Sequence, residues 1–179
     1  DKSKLHLNEA TEKIEKCLNR NFYFLYREWP YKNVKPRIII EKYMEDDIQK
    51  DLIDYKFYCF NGIPKFLYIS HILSNHDIDR KSFVDLNYKK TEFKINNDRE
   101  FDELPQKPKT FDKMIDIAKK LSKDKCFMRV DLYEINGKVY FSELTPYPTA
   151  GLGIITPEKY EKILGDWLDI SNVEKIRRK

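Results

Sequence analysis

The sequence predicts an α+β fold in which helices flank a largely antiparallel sheet. Two Asn-Gly pairs, Asn61-Gly62 and Asn136-Gly137, each join two segments rich in aromatic and β-branched residues, a pattern typical of β-hairpins. Between the two hairpins, residues 110–122 carry apolar side chains at helical spacing. Hairpins separated by a helix favour antiparallel pairing, because a parallel sheet needs helices that alternate with its strands.

Composition sets the broad limits. The 179 residues are enough for one large domain or two small ones, and 41% of them are hydrophobic. The net charge of +4 allows an anionic ligand such as a nucleotide but does not indicate nucleic acid. The five glycines form neither a GxGxxG nor a GxxxxGK[ST] pattern, which excludes a Rossmann fingerprint and a Walker P-loop from this stretch.

The N-terminal region predicts a helix, a loop and a strand. Apolar residues recur at helical spacing over Asn8–Asn21, and Asn8 is the expected cap. Phe22–Pro36 is aromatic and contains Pro30, so we expect an ordered loop there. Arg37–Met44 begins with a β-branched run and predicts a strand.

The next segments are dominated by strand signals. Tyr55–Phe60 and Lys65–Leu73 are the expected strands of the first hairpin. Ser82–Asn87 and Glu92–Ile95 are shorter candidates, and two prolines make Leu104–Lys109 a loop.

The C-terminal half predicts a helix, a hairpin and a closing helix. Thr110 is the expected cap of the first of these helices. Its apolar stripe consists of Phe111, Met114, Ile115, Ala118 and Leu121. The second hairpin pairs Phe127–Tyr133 with Lys138–Leu144, a Pro/Gly loop follows, and Pro157–Leu168 is the closing helix.

Cysteine usage and hydropathy predict a cytoplasmic protein. Cys17, Cys59 and Cys126 are far apart and have no zinc-site spacing, so we expect reduced core thiols. No apolar run approaches the roughly 18 residues that span a membrane, and no signal peptide is visible.

The second hairpin carries two acids, Asp131 and Glu143, whose relation depends on the pairing register. With a two-residue loop, Ile135 would lie opposite Lys138. Asp131 would then face Ser142, and Glu143 would point to the other side of the sheet.

A three-residue loop closed by a glycine bulge gives another result. Glu134 would then face Lys138, Arg129 would face Glu143, and Asp131 would lie diagonally on the same side. The Ile-Asn-Gly sequence favours this second register, and we therefore expect the two acids to share a face.

Two carboxylates on one face would repel each other, and a divalent cation would relieve the repulsion. Oxygen ligands of this kind suit Mg²⁺, whose coordination is completed by water and phosphate oxygens. Arg129 beside them could pair with a phosphate or stabilise an oxyanion. The alternative is an ordinary surface hairpin with an Arg–Glu cross-strand pair.

This hairpin resembles the metal-binding hairpin of the ATP-grasp superfamily, including the D-alanine–D-alanine ligases. The segments that carry this hairpin resemblance are Arg129–Asp131 (RVD), Gly137–Tyr140 (GKVY) and Glu143–Pro146 (ELTP). A wider set consists of Arg27–Tyr31 (REWPY), Arg37–Tyr43 (RIIIEKY), Asp54–Phe57 (DYKF), Asn61-Gly62 and Ser142–Pro148 (SELTPYP). Through this wider set the chain, from roughly residue 1 to 169, resembles the TupA-like ATP-grasp family, which is found in bacterial cell-surface polymer loci.

The resemblance implies roles for individual residues. Asp131 and Glu143 would hold Mg²⁺, and Thr145 occupies the place where the related ligases have a third ligand, Asn. Arg129 would stabilise the tetrahedral intermediate. Lys56 occupies the position of a basic residue that faces the phosphates of ATP.

The segment Ile40–Met44 resembles the hinge strand that binds adenine, and Glu45 or Asp46 would bind the ribose hydroxyls. The nucleotide-binding candidates of this segment are Ile40, Glu41, Tyr43, Met44 and Glu45. The candidates for the acceptor side are Arg27, Tyr31 and Lys32.

The resemblance implies an ADP-forming ligase that joins a carboxylate to an amine through an acyl phosphate, using ATP and Mg²⁺. The substrates would belong to bacterial surface polysaccharide or polyglutamate-type polymer synthesis, with a saccharide as one form of acceptor. One alternative is a glycosyltransferase-like enzyme that uses a nucleotide sugar and a divalent metal. A non-catalytic interaction module is the third hypothesis.

One part of the family pattern is not found. ATP-grasp enzymes also use an upstream strand lysine and a Gly-rich loop over the phosphates, and residues 1–26 contain neither. We therefore expect residues 1–179 to be a single C-terminal ATP-grasp region without the N-terminal acceptor domain, and to be inactive alone.

Overall fold

The computed structural model describes residues 2–44, 52–72 and 78–171. The chain divides into two compact units, Asp1–Tyr43 and Met44–Lys179. The first unit contains helix α1 (Leu7–Leu18), the one-turn helix α2 (Tyr23–Tyr26) and a 3₁₀ turn at Trp29–Tyr31. Glu28 is the one buried residue among those described in this unit.

The second unit contains the sheet. Its strands are β1 (Ile53–Phe60), β2 (Ile63–Ile72), β3 (Ile78–Asp85), β4 (Lys94–Ile95), β5 (Phe127–Ile135), β6 (Lys138–Thr145) and β7 (Ile155–Thr156). Five of them form one sheet in the order β3-β2-β1-β5-β6, in which every neighbouring pair is antiparallel. Helices α3 (Phe111–Leu121) and α4 (Lys159–Asp166) belong to the same unit. The predicted fold class and both hairpins are confirmed.

One face of the sheet packs on α3. Alternate residues of the central strand β1 point to this side and are fully or almost fully buried: Tyr55, Phe57 and Cys59. Phe111, Met114 and Ala118 of α3 complete this core, as the helical stripe predicted. This face therefore holds the larger apolar core.

We call the opposite side of the sheet, which carries Asp54, Lys56 and Tyr58 of β1, the site face. It is aromatic toward the end of β1, where the Tyr58 ring stacks on Phe66 at 4.6 Å between centroids. Trp167, which follows α4, packs against Phe60 there. Toward the start of β1 the same face is charged, so the sheet carries an apolar and a polar region side by side.

The prediction of a strand at Arg37–Met44 is wrong. The described residues 37–44 form no regular element, and the side chains of Ile39 and Ile40 are 81% and 91% exposed. Intrinsic β propensity is not sufficient, because a strand also needs a hydrogen-bonding partner and a face to bury.

Other predictions at the N-terminus need correction. Helix α1 begins at Leu7, and its capping position is His6 rather than Asn8, without a side-chain cap. The predicted loop at 22–36 contains the two short helical turns. Aromatic contacts hold them, because the ring of Phe22 packs edge-on against Tyr31 at 5.2 Å.

The predictions for the later elements need smaller corrections. Thr110 is the N-cap residue of α3, as predicted, but its side chain does not cap the helix, because its backbone N–H and its hydroxyl both donate to the carboxylate of Glu134 on β5. Of the predicted strand Glu92–Ile95, only its last two residues pair, with β7. Cys17 is exposed rather than a core thiol. The described part of the chain has no helix long and apolar enough to cross a membrane.

Candidate active site

A single row of side chains crosses all five strands on the site face. Lys56 lies opposite Asp131 on one side and Tyr68 on the other. Asp131 in turn lies opposite Glu143, and Tyr68 lies opposite Phe83. Because directly opposed residues project to the same side of an antiparallel sheet, these five side chains share one face.

The loop of the second hairpin has two residues, the shorter of the two lengths considered from the sequence. Ile135 pairs with Lys138, so Asn136-Gly137 forms a two-residue turn, and the predicted three-residue loop is wrong. Both turn residues have positive φ, 51° and 73°, as a type I′ turn requires. Asn tolerates this left-handed conformation, which is why the shorter loop is available.

The shared face of the two acids is nevertheless confirmed, because a β-bulge corrects the register. Leu132 pairs with Phe141, whereas the next pair is Asp131 with Glu143, so Ser142 is the extra residue. A bulge moves the alternation by one residue. Asp131 and Glu143 therefore face the same side despite the two-residue loop.

Asp131 is the centre of the charged cluster. Its side chain is 0% exposed, and Arg129 donates to both of its oxygens at 2.8 Å. Lys56 Nζ donates to Asp131 Oδ2 at 2.6 Å. The charge of this buried carboxylate is thus balanced by two cations, where the sequence argument expected a metal ion to do so.

Lys56 is shared between two buried carboxylates. Its Nζ lies 2.5 Å from Oδ2 of Asp54, which precedes it by two residues on β1, and 2.6 Å from Oδ2 of Asp131 on β5. Asp54 is 1% exposed, and its Oδ1 has no hydrogen-bond partner among the described residues. Burial raises the pKa of Asp54 to about 6, although Lys56 acts in the opposite direction.

The two basic residues stay charged. Burial alone would lower the pKa of Lys56, but the charges of Asp54 and Asp131 outweigh it, and the pKa rises. Burial also opposes the charge on Arg129, and the hydrogen bonds to Asp131 again raise the pKa. The cluster therefore holds two charged basic groups that are largely buried.

Glu143 and Thr145 lie at the outer strand. Glu143 is 55% exposed, with Oε1 3.7 Å from Arg129 Nη2. Thr145 is buried and donates its hydroxyl to Glu143 Oε1 at 2.6 Å. Arg129 faces Thr145 across the strands, not Glu143 as the sequence predicted.

The donor set fits a magnesium ion in its chemistry. Asp131, Glu143 and Thr145 offer only oxygen atoms, which hard divalent cations prefer. The described residues contain no cluster of three or more His, Cys, Asp or Glu placed to hold a metal. Any ion here would therefore depend on water or phosphate for its other ligands.

The structure brings Lys56, Arg129, Asp131, Glu143 and Thr145 together. Four nucleotide candidates, Ile40, Glu41, Tyr43 and Met44, lie in the segment without regular structure, where Tyr43 is 77% exposed. Glu45 and Asp46 lie outside the described residues.

Two of the acceptor candidates, Arg27 and Lys32, contact aromatic rings of the first unit. The guanidinium of Arg27 lies 5.2 Å from the ring centre of Phe24, and Lys32 Nζ lies 4.4 Å from that of Trp29. These contacts account for the local packing and leave the acceptor role a prediction.

Sequence reasoning gave no role to Asp54, although it noted the Asp-Tyr-Lys-Phe segment. The available signal was the i, i+2 spacing of Asp54 and Lys56, which places both on one side of a strand. What the sequence did not show is that this strand is the central one, where both side chains become buried.

Comparison with known proteins gives one finding. No curated protein matches the chain, and no solved structure does. The family model described as TupA-like ATPgrasp matches residues 1–169 of the 179. The antiparallel sheet with flanking helices is consistent with that match, and the chain belongs to the TupA-like ATP-grasp family.

Proposed function

We propose that this chain provides the phosphate- and metal-binding part of an ADP-forming ligase that joins a carboxylate to an amine. Membership of the ATP-grasp family supports an ATP-dependent, ligase-like function. The observation that carries the finer assignment is the row of Lys56, Asp131 and Glu143 across three neighbouring strands, with Arg129 hydrogen-bonded to its central carboxylate.

Asp131, Glu143 and Thr145 would hold Mg²⁺. When bound, the ion would supply positive charge that offsets the negative charge of the phosphates. Both oxygens of Asp131 already accept hydrogen bonds from basic residues. If Asp131 held the ion, Lys56 and Arg129 would be able to donate some of these hydrogen bonds to phosphate oxygens instead.

Lys56 and Arg129 would then stabilise the negative charge of the phosphates and of the reaction intermediates. In the reaction, a substrate carboxylate attacks the γ-phosphorus of ATP and ADP leaves. The amine attacks the acyl carbon, loses a proton, and phosphate leaves. Arg129 would stabilise the oxyanion of the tetrahedral intermediate, because a fixed cation with little exposure is effective where negative charge appears.

We assign adenine binding to the segment Ile40–Met44 and ribose binding to Glu45, on the basis of the family pattern. Exposed side chains of this segment, such as Ile40 and Tyr43, would contact the adenine ring. The same pattern supports substrates from bacterial surface polysaccharide or polyglutamate-type polymer synthesis.

The test is the magnesium dependence of ATP binding, measured by calorimetry with and without the ion. We expect wild-type protein to bind ATP more tightly with Mg²⁺, and the double variant Asp131→Asn, Glu143→Gln to lose that difference. The matched control is Asp102→Asn with Glu92→Gln, which removes two carboxylates that are 89% and 80% exposed. Equal ATP affinity with and without the ion in the wild type would contradict the proposal.

Two further arms separate the alternatives. Tighter binding of UDP-glucose than of ATP would favour the glycosyltransferase-like hypothesis. We also propose that residues 1–179 alone show no turnover, since they contain no Gly-rich loop to exclude water from an acyl phosphate. ADP release by this chain with carboxylate and amine substrates would contradict that statement.

A further inference from the structure

Three cationic side chains from three strands lie around the ring of Tyr68. Lys81 Nζ is 4.5 Å from the ring centre, Arg129 Cζ is 5.9 Å away and Lys56 Nζ is 6.0 Å away. Each of these cationic side chains is 11% exposed, and Tyr68 is 6% exposed. The contacts are of the cation–π kind, and Tyr68 is the platform that all three share.

The pairing register explains why Lys81 belongs to this group. Ser70 of β2 lies opposite Lys81 of β3 and also opposite Asp54 of β1. Lys81 is therefore on the site face, in the same cross-strand row as Asp54. This row is two residues along the strands from the row that contains Lys56 and Tyr68. Neither the spacing of the sequence nor the family motif pointed to it.

The anchoring of Lys81 differs from that of the other two cations. Lys56 and Arg129 bind Asp131, which is fully buried. Lys81 pairs at 2.8 Å with Asp98, which is 42% exposed. An ion pair with an exposed partner contributes little because water screens it, so Lys81 is the easiest of the three to redirect toward another anion.

We infer that Lys81 is a third phosphate-binding group of the site, and that it contacts the phosphate chain of the bound nucleotide beside Lys56. The inference rests on the proposed function, because it takes ATP as the ligand. Three like charges around one ring repel one another, and a polyanion would be stabilised by all of them. A lysine ammonium suits this role because it binds phosphate as a point charge.

The test compares two ligands, inorganic tripolyphosphate and ATP, both with Mg²⁺, by calorimetry. Lys81→Met removes the charge, Lys81→Arg keeps it, and Lys65→Met is the matched control. Lys65 is also a strand lysine over an aromatic ring, 5.6 Å from the centre of Trp167. Within the part of the chain that the structure describes, it forms no ion pair with Asp54, Asp131 or Glu143. Melting curves of all variants show whether the fold is kept.

We expect Lys81→Met to raise the Kd for tripolyphosphate about tenfold, since a hydrogen bond between charged groups is lost. Lys81→Arg should stay within about threefold of wild type, and Lys65→Met should not change the Kd. If Lys81→Met does not fold, Lys81→Gln replaces it in the same comparison.

The outcomes separate the two proposals. If the wild type binds both ligands and Lys81→Met binds each with the same Kd as the wild type, the role of Lys81 is overturned and the proposed function stays in place. Wild-type protein that binds neither ligand would overturn both. A purely structural Lys81, needed only for its stacking on Tyr68, would lower the melting temperature and leave the Kd unchanged.

Discussion

At the residue scale, Arg129 balances the charge of the buried carboxylate of Asp131, and the proposed function would give the same side chain a second role, stabilising an oxyanion. In Arg129→Met, Asp131 would keep only Lys56 as a partner. Removing one member of a buried ion pair costs about 3–5 kcal/mol, so we expect a large fall in the free energy of unfolding. Denaturant titration measures it. A loss below about 1 kcal/mol would place Arg129 among ordinary surface pairs.

The proposed catalytic role of Arg129 is tested with a more conservative substitution, Arg129→Lys. This variant keeps the positive charge but loses the two-point contact with Asp131. In a preparation with ligase turnover, we expect kcat to fall about 10²–10³-fold while the KM for ATP changes little. Steady-state kinetics measures both constants. A rise in KM with an unchanged kcat would show that Arg129 only binds the nucleotide.

Asp54 should make stability depend on pH. Its pKa is about 6 in the folded protein against an ordinary value of 3.8, so the folded state holds the proton more tightly. Stability from this group is therefore highest below about pH 4 and is lost as the pH rises through about 6. We expect the melting temperature of Asp54→Asn, relative to wild type, to increase between these pH values.

Melting curves at pH 4, 5, 6 and 7 supply the measurement. Carboxylates remote from Asp54 make the same contribution in both proteins and cancel in the difference. A difference that is constant with pH, or that decreases, would show that the pairing of Asp54 with Lys56 outweighs its burial.

The site residues that stand in a recognisable sequence motif could be predicted. The site residues that are brought to the site by strand pairing could not. Arg129, Asp131 and Glu143 stand in one short segment with recognisable spacing. Asp54 and Lys81 reach the same face only through the pairing of β1, β2 and β3, and a sequence contains no direct record of which strands become neighbours.

At the scale of elements, the second hairpin combines an incorrect prediction of the loop length with a correct prediction that Asp131 and Glu143 share a face. The Asn-Gly pair correctly predicted a hairpin, but the loop has two residues and the register is corrected by the bulge at Ser142. A bulge has no simple sequence signal, whereas a type I′ turn does. The segment Arg37–Met44 shows the opposite case, in which strong β propensity without a partner strand gave no strand.

The turn itself is testable by a pair of glycine substitutions with opposite expected signs. Gly137 has φ +73°, and an added Cβ would meet nothing within 4 Å, so Gly137→Ala costs only backbone strain, about 1 kcal/mol. Gly165 lies inside α4, also in open space and without a positive φ. Gly165→Ala should stabilise the protein by roughly 0.5–1 kcal/mol. Thermal melting of both variants checks this, and a Gly137→Ala protein that is as stable as the wild type, or more stable, would contradict the turn assignment.

At the scale of the whole molecule, charge and apolar core are divided unequally between the two units. Residues 1–43 contain 10 Lys and Arg and 6 Asp and Glu, whereas residues 44–179 contain 24 of each. The surplus of +4 thus belongs to the first unit, and the charged cluster on the site face stands in a unit that is neutral as a whole. Both apolar cores, in contrast, are built from residues of the second unit.

This division predicts what a shortened protein would do. Because both apolar cores lie in Met44–Lys179, we expect a variant without residues 1–43 to melt cooperatively, within a few degrees of the full chain. Its cations at Lys56, Lys81 and Arg129 are kept, so its affinity for tripolyphosphate with Mg²⁺ should be unchanged. Its affinity for ATP should fall to that for tripolyphosphate, because the proposed adenine-binding residues Ile40–Tyr43 are gone. Calorimetry with both ligands measures the difference, and a shortened protein that still prefers ATP would show that adenine binds elsewhere.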